Sequence, residues 1–404
     1  MKDMYVKKVC FILSLVLVAL SCDTMSPTPA PMNVEVNATF AERTNLFAFD
    51  FLKQLEKEEK GDNFFVSPLS LHMALGMLLN GADKDSKDEL TATLKLDGLE
   101  MQLINNSYAE LIDKLPQVDP NVVNKLANSV WQREGFVVEE DFKNTLKNYF
   151  KAEVFEEDFS PNTVDKINQW ASDNTNAKIK KVLDQITADQ VMFLMNALYF
   201  KGDWANQFDK KKTFDAPFKG VDKTAMVEMM SKRDTFALVG MDGYKALDLP
   251  YGSGNYAMRV ILPDNADVPA LLLNLDAEEW NAISEKMVVQ KIDLQLPKFK
   301  MEYEKKLNNV LSEMGMPSLF SAEADLSKIS PPAGKLVVGF VKQNSFVAVD
   351  EEGTEAAAVT TIGIDLTSLP SYPTFFVDRP FLFFIYEKSS NTIQFTGKIL
   401  NLEK

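Results

Sequence analysis

Residues 350–365 read Asp350-Glu351-Glu352-Gly353-Thr354-Glu355-Ala356-Ala357-Ala358-Val359-Thr360-Thr361-Ile362-Gly363-Ile364-Asp365. With a period of two, Thr354, Ala356, Ala358, Thr360, Ile362 and Ile364 share one face. Glu355, Ala357, Val359, Thr361, Gly363 and Asp365 share the other. The first face carries no charge and begins with small side chains, while both acids lie on the second. A strand that slides between two others in a packed sheet needs this division, because an unpaired charge on the inserting face is costly to bury. Ala356 to Ala358 and the adjacent Glu residues are also good helix formers. The Thr, Val, Ile and Gly that follow disfavour a long helix, so strand is preferred and helix stays open as the alternative.

The remainder of the chain excludes several chemistries. Its 404 residues are 46% hydrophobic with a net charge of −15. A sizeable core is available, and a broad basic patch for nucleic acid is not expected. So few basic clusters also argue against activation by a polyanion. The single histidine, His72, falls in a helical run and reads as structural or surface. The two cysteines, Cys10 and Cys22, both lie near the N-terminus. Neither a zinc cluster nor a Cys–His pair can be assembled from this set, and there is no G-x-S-x-G elbow or phosphate loop. The chain is therefore not read as an enzyme, and no metal or cofactor is expected. Gly252-Ser253-Gly254 reads as a hairpin turn.

The N-terminus has the pattern of a targeting segment. Lys2, Lys7 and Lys8 precede an apolar run of 12 residues, Val9 to Leu20, too short to span a bilayer. Ala19-Leu20-Ser21-Cys22 resembles a bacterial lipoprotein cleavage box, with Ala19 where Leu is commoner. That implies an export signal over residues 1–21 and lipidation of Cys22. A lipid anchor in the bacterial cell envelope is then expected, in the outer membrane and facing the periplasm or the surface. Ordinary secretion with cleavage nearby is the alternative. Asp23 to Pro31, rich in Ser, Thr and Pro, reads as an extended tether, and residues 22–38 are assigned to it. Asn37-Ala38-Thr39 matches a glycosylation sequon and is read as chance. A chain that leaves the cytoplasm with no disulfide must rely on its core alone.

From residue 39 to 404 the pattern is one α+β body. Phe47, Phe51, Leu52 and Leu55 mark one helix face that Gly61 ends, and Ser67 caps a second helix with Pro68 at its first position. Leu71, Ala74, Leu75, Leu78 and Leu79 form the stripe of that second helix. Further helices are expected over Ser86 to Leu94 and from Pro161, the latter with Val164, Ile167, Trp170 and Ala171 inward. Strands follow over Val191 to Phe200, Tyr256 to Leu262 and Val288 to Leu296. In the last of these Val288, Ile292, Leu294 and Leu296 are expected inward. Phe381 to Tyr386 and Thr392 to Leu400 read as a hairpin around Ser389-Ser390-Asn391. Helices first and mostly antiparallel sheet later define the class.

Glu351-Glu352-Gly353-Thr354-Glu355-Ala356-Ala357-Ala358 resembles the hinge of inhibitory serpins. Asn63 to Gly81, with Ser67-Pro68-Leu69-Ser70, resembles that family's second helix. Asn196-Ala197-Leu198-Tyr199-Phe200-Lys201-Gly202-Asp203-Trp204 resembles its central-sheet signature. Leu249-Pro250-Tyr251-Gly252, Ile261-Leu262-Pro263, Pro297-Lys298-Phe299 and Asp378-Arg379-Pro380-Phe381 are similar to further family motifs. The likeness runs in order from about Phe40 to Leu402. It implies a serpin fold of three β-sheets with about nine helices and an exposed reactive-centre loop.

The resemblance also implies a mechanism. The loop is cut by a serine, and also a cysteine, endopeptidase, forms an acyl-enzyme and inserts as a strand into the central sheet, trapping the protease. The reactive bond falls at Thr367–Ser368, counting from Gly353, or alternatively at Leu366–Thr367. Glu351, Gly353, Thr354, Glu355, Ala356, Ala357 and Ala358 form the hinge. Ser67, Ser70, Asn196, Trp204 and Gln343 match positions around the point where the sheet opens. Gln343 stands where many relatives have His, and Asn196 is expected buried and hydrogen-bonded. No Lys or Arg lies between Lys342 and Arg379. Trypsin-like targets therefore have no bond to cut, and elastase-, chymotrypsin-, subtilisin- or papain-like partners remain. A monomer is expected. The alternatives are a non-inhibitory serpin, or a surface lipoprotein that binds protein or glycan.

Overall fold

The computed structural model describes residues 33–34, 36–330, 336–354 and 372–403. Asn37 opens the first helix by accepting the Phe40 N–H on its side-chain oxygen at 3.1 Å, which gives that sequon asparagine a structural use. The helices in chain order are α1 (Ala38–Glu58), α2 (Pro68–Leu79), α3 (Lys84–Thr93), α4 (Met101–Lys114), α5 (Glu140–Phe150), α6 (Pro161–Asn174), α7 (Val268–Asn274), α8 (Ala277–Lys286) and α9 (Asn308–Glu313). The strands begin with β1 (Phe64–Val66), β2 (Val122–Arg133), β3 (Glu153–Glu157), β4 (Met192–Asp203), β5 (Phe214–Lys219), β6 (Thr224–Met241), β7 (Tyr244–Tyr251) and β8 (Tyr256–Pro263). They continue with β9 (Val288–Pro297), β10 (Phe299–Lys306), β11 (Lys342–Val349), β12 (Gly353–Thr354), β13 (Thr374–Phe376), β14 (Phe381–Glu387) and β15 (Thr392–Ile399).

Two sheets result. One runs β1-β15-β14-β8-β7-β6-β9-β13, with β5 on a free flank of β6; the other runs β10-β11-β12-β4-β2-β3. The three sheets expected group into two because the 18-residue β6 is shared. It carries β9 along its middle, β5 against its first residues and β7 against its last, so what would be two sheets hydrogen-bond into one. Pairing is antiparallel apart from β2–β3 and β9–β13.

The core lies between the sheets, and α2 runs through it. Ser67 caps α2 by accepting the Ser70 N–H at 3.1 Å, and Pro68 takes the first helical position. Every residue of α2 except Ala74 is buried, because it packs on β4 with one side and on β15 with the other. His72 is fully buried there. Its Nε2 meets the Leu94 carbonyl at 3.1 Å and so carries the proton, leaving Nδ1 to accept from the Tyr108 hydroxyl at 2.9 Å. Burial holds its pKa down at about 4. This histidine is a core residue with both nitrogens committed. Hairpin β14–β15 turns on Glu387, whose two carboxylate oxygens accept from the backbone and hydroxyls of Ser389 and Ser390 at 2.6–2.9 Å.

Some sequence expectations need correction. Val288 is 60% exposed rather than inward, because β9 starts at the rim of its sheet and burial begins at Ile292. Helix α1 stops at Glu58, before Gly61. Within the segment assigned as tether, Val34 is buried and its N–H donates to Ser389 Oγ at 2.9 Å.

Candidate functional site

The six-stranded sheet contains a seam. β4 is fully paired with β2 on one side, and β11 with β10 on its other side. Among the described residues the facing edges of β4 and β11 meet only through β12, where Gly353 and Thr354 pair with Asp203 and Gly202, and Thr354 with Val349. Beyond that point a cavity of about 700 Å³ separates the two edges. Phe193 and Asn196 of β4 and Gln343 and Val347 of β11 line its lips. Ser70 and Ala74 of α2 lie on one face of the sheet, and Trp170 of α6 on the other.

The head of the seam is closed tightly. A Cβ added to Gly353 would stand 2.1 Å from the Gly202 carbonyl oxygen and 2.6 Å from Asp203 Cα, both backbone, so only glycine fits. Thr354 is buried between the strands and shares a 2.6 Å hydrogen bond with the Tyr251 hydroxyl. Trp204 stacks on Tyr251 with ring centroids 4.5 Å apart. Its Nε1 donates to the Asp350 carbonyl at 2.9 Å and its backbone N–H to the Glu352 carbonyl at 2.8 Å. Phe208 N–H donates to the Glu351 carbonyl at 2.8 Å. The turn itself is held by Asp350 Oδ1, which accepts from the N–H groups of Glu352 and Gly353 at 2.9 and 3.3 Å.

Two buried carboxylates flank the turn, and each has a cation. Glu352 pairs with Lys210 at 2.5 Å, and Glu351 pairs with Lys298 at 3.3 Å while accepting from Thr213 Oγ1 at 2.7 Å. Burial alone would raise the pKa of Glu351, but the Thr213 bond and the Lys298 charge outweigh it and hold it below the usual carboxylate range. Asp350 lies above that range because burial dominates, opposed by its backbone hydrogen bonds. The sequence alone did not single out Lys210, Thr213 or Tyr251 individually. Lys298 was visible only as the centre of Pro297-Lys298-Phe299.

Below the head, neutral side chains bridge the seam. Gln343 on β11 accepts the Ser67 N–H at 3.1 Å and donates to the Ser67 carbonyl at 2.8 Å. Ser67 Oγ donates to the Gln394 carbonyl at 2.7 Å. Ser70 Oγ donates to Asn196 Oδ1 on β4, Asn196 Nδ2 donates to Asn128 Oδ1 at 2.7 Å, and Asn128 Nδ2 donates to the Phe150 carbonyl at 2.7 Å. Asn196 is hydrogen-bonded as expected but only half-buried, because its face lines the cavity. The structure thus brings Ser67, Ser70, Asn196 and Gln343 into one chain of hydrogen bonds, and places Trp204 at the head with Glu351, Gly353 and Thr354. Glu355, Ala356, Ala357, Ala358, Leu366, Thr367, Ser368 and Cys22 lie outside the described residues. No group of His, Cys, Asp and Glu that could hold a metal occurs among the described residues.

A mixed α+β fold with one sheet split at a glycine-hinged seam defines a class of protein. The family profile described as Serpin (serine protease inhibitor) matches residues 42–402. The chain is 32% identical over 381 residues to Serpin B11 of Homo sapiens, covering 87% of this chain and 97% of that protein. It is also 32% identical to an uncharacterized serpin-like protein of Thermococcus kodakarensis, over 88% of this chain and 84% of the relative. Among solved structures, the thermophilic serpin tengpin in its native state superposes with a TM-score of 0.84 and 30% identity, covering 92% of this chain and 96% of that one. The chain belongs to the serpin family, whose members are mostly protease inhibitors rather than catalysts.

Proposed function

We propose that this serpin is a suicide inhibitor of serine endopeptidases, and also of cysteine endopeptidases. The observation that carries the reading is the seam: two strand edges held apart by a cavity, with Gly353 and Thr354 seated at its head. The target's nucleophile attacks the carbonyl carbon of Thr367, or alternatively of Leu366. The peptide C–N bond breaks, the new amine leaves with a proton, and an ester or thioester to the protease remains. The chain from Thr354 onward then continues the strand that β12 begins. Fourteen residues, Thr354 to Thr367, extend on the order of 45 Å at strand rise, far enough to carry the tethered protease along the sheet. The uncharged face of residues 354–364 and the small side chains of Ala356 to Ala358 support inhibition over a purely structural role.

The absence of Lys and Arg from residues 343–378 supports elastase-, chymotrypsin-, subtilisin- or papain-like targets over trypsin-like ones. Residues 1–21 serve as export signal, Cys22 as a lipid anchor in the bacterial envelope, and 39–404 as a serpin body that acts as a monomer. Incubation with each protease type, followed by boiling in detergent and electrophoresis, tests inhibition. A stable adduct with at least one serine or cysteine enzyme is expected; none with any of them would refute trapping. Cys22→Ala should release the protein from membranes, and retention would refute the anchor.

A further inference from the structure

Tyr372 is the first described residue after the bait loop, and the sheet face that receives it carries an exposed cluster of its own. The Asp293 N–H donates to the Pro373 carbonyl at 2.9 Å, and β13 then runs parallel to β9, with Thr374 opposite Asp293 and Phe376 opposite Gln295. On the other side of β9, Arg233 of β6 lies opposite Asp293. Paired residues share a side of a sheet, as do residues two apart on a strand, so Val289, Lys291, Asp293, Arg233 and Phe376 face the same way. Arg233 grips both carboxylate oxygens of Asp293, at 2.5 and 2.9 Å. The Tyr372 ring lies with its centroid 5.1 Å from that guanidinium and 5.4 Å from Lys291 Nζ, so two cations hold it. Lys291 is exposed and makes no ion pair among the described residues. Val289 is 70% exposed and Phe376 38%.

We propose that this face of β6, β9 and β13 is a second docking surface for the target protease, which meets it with an acidic rim. This rests on the reading above that a protease cuts at Thr367 or Leu366. Reach supports it first. Only five or six residues lead from the cut bond to Tyr372, so the two stand no more than about 18–22 Å apart. A protease of roughly 220 residues has a radius of gyration of about 17 Å and a wider outer reach, so one seated on the bond overhangs the face. Composition supports it next. Tyr and Arg are the side chains that carry interface energy, and here they stand beside exposed Val289 and Phe376. Asp293 already fixes Arg233, so little side-chain freedom is lost on contact. Charge supplies the partner's chemistry. Arg233 and Asp293 cancel, and Lys291 leaves the face with a net positive charge in a chain of −15. At physiological ionic strength charges beyond about 8 Å are screened, so Lys291 acts on the carboxylates placed next to it. The face thereby discriminates among proteases that accept the same loop.

The test uses the full-length chain and the serine or cysteine protease that forms a stable adduct with it. The second-order rate constant of inactivation and the stoichiometry are measured at low and at high salt. Lys291→Glu should be captured roughly three- to tenfold more slowly at low salt, and the gap should close at high salt. Its stoichiometry should stay that of the parent. Lys291→Arg should match the parent throughout. Lys147→Glu, at an exposed position on α5, makes the same change in net charge and should also match. If Lys291→Glu and Lys147→Glu keep the parent rate, or slow equally, the docking surface is refuted and inhibition stands. A raised stoichiometry in Lys291→Glu would assign the lysine to holding the foot of the loop and overturn docking. A parent dimer that Lys291→Glu dissociates in sedimentation would give the face to a second copy of the chain, with the same consequence. If the parent forms no adduct with any protease, the inhibition reading fails and takes the docking surface with it.

Discussion

Hairpin β14–β15 and the pair β4–β11 are both central strands of large sheets, and the protein treats them in opposite ways. All residues of β14 and β15 are buried, and each strand has a ladder on both sides. Phe383 stacks on Phe65 and lies 5.3 Å from Phe299, over a Gly397 that leaves no room for a Cβ. Across the β4–β11 seam, ladder pairing among the described residues stops after β12, and the bridging groups are neutral amides and hydroxyls. Jigsaw packing of aromatic rings resists any rearrangement. Hydrogen bonds between small neutral groups can be exchanged for others at little net cost. Stability is concentrated in one sheet, and capacity for change in the other.

Four experiments press on that contrast. The largest effect is expected at the head of the seam. Thr354→Arg would bury an unpaired charge, so the protein should become a substrate, with the stoichiometry of inhibition rising by roughly tenfold or more. An unchanged stoichiometry would break the assignment of change to this sheet. In the closed sheet, Phe383→Ala should lower the unfolding free energy by about 3–5 kcal/mol in denaturant titration while leaving stoichiometry intact. A shift in stoichiometry there would show that the two sheets are not separable.

The pH dependence of α2, which touches both sheets, comes next. The unfolded His72 titrates near 6.5 and the folded one at about 4. Between these values the unfolded state binds the extra proton, so this contribution to stability is intact above pH 6.5 and falls as the pH drops. The loss should reach about 2 kcal/mol by pH 5. Comparing unfolding at pH 7 and pH 5 in the parent and in His72→Gln checks it; identical pH dependence in both would contradict the buried neutral imidazole. The smallest effect is that of Tyr251→Phe, which removes the hydrogen bond to Thr354 and should cost about 1 kcal/mol of stability. No measurable loss would mean that this hydrogen bond adds nothing to the hold on the seam's head.

Much of the fold was legible in the sequence because its signals are local. Ser67-Pro68 announces the start of α2, and the face of α6 follows from Val164, Ile167, Trp170 and Ala171 at helical spacing. Thr354, the first residue of the face read as uncharged from a period of two, is buried, and the rest of that face lies outside the described residues. What escaped depends on partners far away in the chain. Nothing near Glu351 and Glu352 points to Lys298 and Lys210 as their cations. Val288 alternates like a buried residue, but whether a strand end sits at a rim is decided by its neighbours. Asn196 is hydrogen-bonded as expected but less buried than expected, because a seam in a sheet leaves no trace in the pattern of either strand.

The close facing of Gly353 and Gly202 has a geometric consequence. It pins one end of the seam, so on the insertion reading proposed above a strand would be added from that end. The protein thereby carries a ruler whose zero mark is a glycine pair. Travel along it is set by the count of residues from Thr354 to the cut bond, at about 3.3 Å each. Shortening or lengthening the loop by two residues would move the far mark by about 7 Å while leaving the zero untouched. On that reading loop length and loop chemistry would be separate dials, the first setting how far a captured partner is carried and the second which partner is captured.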